Sequence, residues 1–119
     1  MRVKDAVGNF GEDVAVRHLA ALGLTILERN WRCPVGELDI IATEGSTLVF
    51  VEVKTRSSLA FGDPAEAVTA AKAARIRRLA VQWLAEHPEQ RHPDVRFDVV
   101  SVVRVGPGGL TISHFPGAF

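Results

Sequence analysis

Asp39, Glu52 and Lys54 are the residues in the middle of the chain whose types could do chemistry together. A strand places alternate residues on one face, so Glu52 and Lys54 share a face if their segment is extended. Asp39 joins them if residues 37–44 form the adjacent arm of a hairpin. In that first arm Leu38, Ile40 and Ala42 would form one face, and Glu37, Asp39 and Ile41 the other. In the second arm Val49, Val51 and Val53 stand opposite to Leu48, Phe50, Glu52 and Lys54. Matching apolar face to apolar face brings Asp39, Glu52 and Lys54 together, whereas a slip of one residue would mix them with valines.

The turn sets the register. Gly45-Ser46 suits a two-residue hairpin connection with Gly45 supplying the positive φ of a type II′ turn. Glu44 then stands opposite Thr47, Asp39 opposite Glu52, and Glu37 opposite Lys54. Moving the turn to Glu44-Gly45 would instead pair Glu52 with Glu37, again two acids. Directly opposed side chains have Cβ atoms about 4.5–5.5 Å apart, a separation at which like charges are destabilising. Two carboxylates so placed are a hard-oxygen site, for which Mg²⁺ or Mn²⁺ is the fitting occupant. The backbone carbonyl of Val53 is a candidate third ligand. Lys54 would stand within reach of a water or a phosphate oxygen and offset charge developing there. The competing explanation is an exposed face carrying a Glu37–Lys54 ion pair and no chemistry.

The elements that must position these residues read as α-β-β-β-α-β-β. A helix is expected over about Val7–Leu22, with Gly23 as its C-terminal cap. A first strand spans Thr25–Trp31, and Cys33-Pro34 with Gly36 marks a break. The hairpin arms are Glu37–Glu44 and Thr47–Thr55. A second helix is expected from Pro64 to about His87, followed by a strand over Val95–Val105, a turn at Gly106–Gly109 and a last strand over Leu110–Phe115. The second helix is long enough to serve as a crossover, which makes the strands on either side of it parallel. The fold class is therefore α/β, a mixed sheet with helices on both faces.

Composition narrows the function classes. With 119 residues, 47% hydrophobic and 24% charged, the chain fits one domain over residues 1–119. It carries no apolar run of membrane-spanning length and no apolar leader, so a cytoplasmic location is expected. Cys33 is the one cysteine, so no internal disulfide forms. The formal net charge of +0 counts against indiscriminate adhesion to nucleic acid. The charge is unevenly spread, however. Lys72, Arg75, Arg77 and Arg78 lie in a stretch without acids. Lys72 and Arg75 share a helical face that Arg78 continues. Either that face is simply solvated, or it tracks phosphates together with Arg56. His18, His87, His92 and His114 lack zinc-like spacing, and Trp31 and Trp83 suit a core or an interface better than base stacking.

The run Gly36-Glu37-Leu38-Asp39 followed by Val51-Glu52-Val53-Lys54 resembles the signature of PD-(D/E)XK nucleases, most of all archaeal Holliday-junction resolvases. Nearly the whole chain resembles the YraN-like family of small bacterial proteins, through GNFGED, GELDIIA, FVEVKTR, the basic second helix and RFDVV. The resemblance implies a restriction-endonuclease-like αβββαβ core. It implies Asp39 and Glu52 as metal ligands, Lys54 as the catalytic lysine, and Glu12 as a further acidic residue of the catalytic set. Leu38 stands where the signature has proline, as in resolvase-like branches. Glu12 has a structural alternative, a capping box with Asn9 as N-cap, although it shares a helical face with Ala15, Val16 and Leu19. Asp98, interrupting an apolar strand, is either a neighbour of the site or a hydrogen-bond acceptor that stabilises the fold.

The function expected is that of a Mg²⁺- or Mn²⁺-dependent phosphodiesterase, an endonuclease acting on nucleic acid. DNA is the first candidate, in branched or single-stranded form. A non-catalytic nucleic-acid- or protein-binding module on the same fold is the alternative. A purely structural interaction protein that dimerises through its apolar C-terminal strand, HFPGAF included, is a third reading.

Overall fold

A computed structural model of the chain describes residues 6–56 and 68–119, with side chains from Asn9 onward. The elements are α1 (Ala6–Ala21), β1 (Thr25–Cys33), β2 (Gly36–Glu44), β3 (Thr47–Arg56), α2 (Ala70–Glu86), β4 (Asp94–Arg104) and β5 (Leu110–Phe115). One sheet has the spatial order β1-β2-β3-β4-β5, with β3 and β4 parallel and the other neighbours antiparallel. This is the expected mixed sheet, and it carries the αβββαβ restriction-endonuclease-like core. None of the described helices is long and apolar enough to cross a membrane.

Each face buries one helix. Val14, Ala15 and Leu19 of α1 pack with Ile40, Ala42, Val49, Val51, Val100 and Val102. Ile76, Leu79, Ala80 and Trp83 of α2 pack with Trp31, Leu38, Ile41, Leu48 and Phe50. The two strand sets interleave along β3, as a strand buried on both faces requires. Burying such side chains contributes about 1.5–3 kcal/mol each, which holds the strands against both helices. Contact is tightest at Gly11, where a methyl group would overlap the side chain of Thr55. Glycine there lets α1 approach the end of β3.

Local signals explain most of the boundaries. Gly23 takes φ 100° after α1, and Leu24 N donates to Leu19 O at 3.1 Å in a Schellman-type end. Gly45 turns at φ 57°, and Glu44 pairs with Thr47 as expected. β1 continues to Cys33, which pairs with Gly36 across the turn at Pro34-Val35. Two helix starts differ from the expectation. α1 already includes Asn9, so that residue is inside the helix and the capping box does not form. α2 begins at Ala70, with Thr69 as N-cap accepting from Lys72 N at 3.1 Å. Val68 lies before the helix, and the start expected at Pro64 falls outside the described residues.

The C-terminal segment after β5 folds back on β4. Ala118 N donates to Phe97 O at 2.8 Å, and the rings of Phe119 and Phe97 stand 5.5 Å apart. Asp98, fully buried, accepts from Arg96 Nε (2.8 Å) and Nη2 (3.0 Å) and from Gly117 N (3.0 Å), and pairs with His114 Nε2 at 2.7 Å. Burial opposes ionisation of Asp98, but Arg96, the Gly117 amide and His114 outweigh it and hold the carboxyl below its ordinary range. Asp98 is thus the fold-stabilising acceptor, joining β4 to β5 and to the chain end.

Candidate metal and phosphate site

β2 does not alternate as simply as its sequence suggests. Leu38 was expected to share a face with Ile40 and Ala42; instead it packs on the α2 side with Ile41, while Ile40 packs on the α1 side. β1 changes face at the same level. Arg29 reaches Glu12 and Asp13 of α1, whereas Trp31 belongs to the α2 cluster. Arg29 pairs with Ile40 and Trp31 with Leu38, so Asn30 lies across from Asp39 at the change. Asn30 adopts φ 53°, a left-handed conformation that asparagine tolerates better than most residues.

The face change redirects Asp39. The ladder between β2 and β3 ends at Ile40–Val51, and Asp39 Oδ2 accepts the Val53 amide at 2.9 Å. A side-chain oxygen thus takes the place of a backbone acceptor. Because a strand residue directs its N–H and C=O toward the same neighbour, the Val53 carbonyl also faces the β2 side. Asp39 is buried at 7% exposure.

Glu52 and Lys54 stand on the α2 side of β3. Lys54 Nζ is 3.4 Å from Glu52 Oε1, and Lys72 Nζ, from the first turn of α2, is 2.6 Å from that same oxygen. Burial and the nearby charge of Asp39 raise the Glu52 carboxyl above its ordinary value, with both lysines opposing the shift. Burial, reinforced by Lys72, lowers the Lys54 ammonium. Burial works against charge on Lys72 as well, but Glu52 and the bond with Lys54 carry it above the usual lysine value.

Glu12 is buried at 1% exposure and is held by Asn30 Nδ2 (2.7 Å) and Arg29 Nη2 (3.3 Å). It thereby supports the residue opposite Asp39. Glu37 pairs with Arg32 Nε at 3.1 Å. Among the described residues no three Asp, Glu, His or Cys side chains gather as a metal cage. The oxygen atoms that could hold a cation at this end of the ladder are those of the Asp39 and Glu52 carboxylates and the Val53 carbonyl. Two neighbouring carboxylates, one of them raised in pKa by burial and by the charge of the other, suit a hard divalent cation together with a carbonyl.

Of the basic residues, Arg75 and Arg78 are exposed on α2, Arg56 is half-buried at the end of β3, and Arg77 lies 4.7 Å over the Phe97 ring. The sequence reading put Lys72 on the phosphate-tracking face, whereas its ammonium lies in the acidic site. The contribution of Asn30 was missed, and an asparagine between two larger strand residues was the one available signal for it.

The sequence pattern of the uncharacterised protein family UPF0102 matches residues 11–102. A UPF0102 protein of Beutenbergia cavernae is 61% identical over 117 residues, 98% of each chain. Another, of Frankia casuarinae, is 60% identical over 119 residues, all of both chains. A third, of Frankia alni, is 60% identical over 119 residues, 100% of this chain and 98% of the relative. The chain belongs to the UPF0102 family, which bears out the family resemblance read from its motifs.

Proposed function

We propose that this member of the UPF0102 family is a divalent-metal-dependent phosphodiesterase acting on nucleic acid, an endonuclease with DNA, in branched or single-stranded form, as its first candidate substrate. The observation that carries the reading is the convergence of buried Asp39 with the half-buried Glu52 and Lys54 at the open end of the β2–β3 ladder. Asp39, Glu52 and the Val53 carbonyl would hold Mg²⁺ or Mn²⁺, which supplies Lewis acidity toward a phosphodiester when bound. Lys54, fixed beside Glu52, orients the attacking water and stabilises negative charge on the phosphoryl oxygens. Glu12 holds Asn30, and through it the bend that directs Asp39 toward β3. Arg56 and Arg75 supply charge for the phosphate backbone.

One observation favours a second reading. Glu52 already has two ammonium partners, so the cluster neutralises itself as a structural ion-pair network does. On that reading the chain is a non-catalytic nucleic-acid- or protein-binding module. The test is a cleavage assay on linear, flapped, single-stranded and four-way DNA with Mg²⁺, Mn²⁺ or chelator. Cleavage that needs the cation and is lost in Asp39→Asn supports the enzyme. Binding without cleavage of any of these substrates leaves the module.

A further inference from the structure

Two ammonium groups crowd one oxygen of Glu52, but they are not equivalent. Lys54 is two residues away on the same strand and face, so its backbone is tied to that of Glu52. Lys72 comes from α2, where the Thr69 cap fixes its backbone but not its four-carbon stem. Its side chain is partly exposed, at 26%. The Lys72–Glu52 contact of 2.6 Å also occupies the carboxylate oxygen that a cation would need. A divalent ion and two ammonium groups cannot all crowd one carboxylate without strong repulsion.

Resting on the proposed function, we infer that Lys72 is an exchangeable counter-ion: it neutralises Glu52 in the cation-free protein, yields that oxygen to a divalent cation, and turns its freed ammonium to a nucleic-acid phosphate. Lys72 is then a positioning residue that links the two ligands. The cation releases a phosphate-binding group, and a bound phosphate, by holding that group, opens Glu52 to the cation. Such coupling is reciprocal by linkage.

The experiment measures Mn²⁺ binding to the full chain by calorimetry at fixed ionic strength, without nucleic acid. Lys72→Met should bind Mn²⁺ about five- to tenfold more tightly than the parent, as removal of a competing group of this coupling strength requires. Lys72→Gln provides a second variant that keeps a hydrogen-bonding group, with folding of each checked by its unfolding transition. Arg78→Gln removes a charge from the exposed part of the same helix and should change the affinity far less. Equal affinity in the parent and both Lys72 variants, or an equal gain in Arg78→Gln, overturns the counter-ion role. No Mn²⁺ binding by the parent or any variant overturns the metal reading itself, and with it this inference.

A second arm measures the salt dependence of binding to a short single-stranded oligonucleotide, with Ca²⁺ and with chelator. Lys72→Met should flatten the slope by about 0.7, one phosphate contact, in Ca²⁺ alone. An equal change with chelator, or none in either condition, overturns the exchange.

Discussion

The Val53 amide donates to Asp39 Oδ2 at 2.9 Å, just beyond the last rung of the β2–β3 ladder at Ile40–Val51. An asparagine oxygen can accept that bond as well, while the charge facing Glu52 disappears. Asp39→Asn is therefore expected to leave the cation-free protein as stable as the parent, or somewhat more so. It should also abolish stabilisation by Mn²⁺, which in the parent should reach about 2.7 kcal/mol at a cation concentration 100 times Kd. Thermal unfolding with and without Mn²⁺ measures both. Destabilisation by several degrees, in a parent that ignores the cation, would make the carboxylates structural.

Glu52 makes the site sensitive to pH. Its folded-state pKa is raised from 4.5, so protonation favours the folded form. Its contribution is fully present below the unfolded carboxylate value and is lost as pH rises through the folded one. The cation-free protein should thus lose stability as pH climbs from that unfolded value through the raised value. Glu52→Gln should remove this part of the pH profile, and Mn²⁺ should offset it in the parent. Denaturant midpoints across a pH series test the sign. A parent that gains stability through that window would place the dominant titration elsewhere.

On the proposed function, Lys54 is the residue that separates cleavage from cation binding. It is paired with Glu52 at 3.4 Å, and its side chain is 20% exposed, so removing it leaves the two acids in place. Lys54→Ala should retain Mn²⁺-induced stabilisation and lose about 10²–10³-fold in cleavage rate, the usual effect of removing one group that stabilises developing charge. Single-turnover cleavage and thermal unfolding, run on the same preparation, provide the comparison. Full cleavage by the variant would remove Lys54 from the chemistry.

Much of this arrangement was legible in the sequence because its signals are local. Gly45-Ser46 and the alternation of Val49, Val51 and Val53 define the β3 side of the hairpin and its register without reference to the rest of the chain. That Asp39 would accept the Val53 amide was not legible. It depends on a face change shared by two strands, centred on the left-handed Asn30, and no period within β2 reports on it. The position of Lys72 was hidden for a related reason. On a helical wheel it belongs with Arg75 and Arg78, and only the packing of α2 against the sheet brings its ammonium to Glu52. Asp98 was recognisable as a polar interruption of an apolar strand, but its partner His114 comes from β5 and the Gly117 amide from the chain end.

Glu12 offers the test of how the bend is held. Its Oε1 accepts from Asn30 Nδ2 at 2.7 Å and from Arg29 Nη2 at 3.3 Å, and Asn30 lies across from Asp39. Glutamine keeps an oxygen for both donors and loses only the charge, whereas alanine withdraws this acceptor from the half-buried Asn30 amide. Glu12→Ala should therefore cost about 1–3 kcal/mol of stability, and Glu12→Gln clearly less. Both variants should still be stabilised by Mn²⁺, Glu12→Gln to the same extent as the parent, because the charge of Glu12 is not needed to hold the ion. A direct metal ligand would behave in the opposite way. Glu12→Gln would then remain as stable as the parent without cation and lose its response to Mn²⁺. Unfolding curves of the two variants across a Mn²⁺ titration distinguish an anchor beneath Asp39 from a third carboxylate of the metal site.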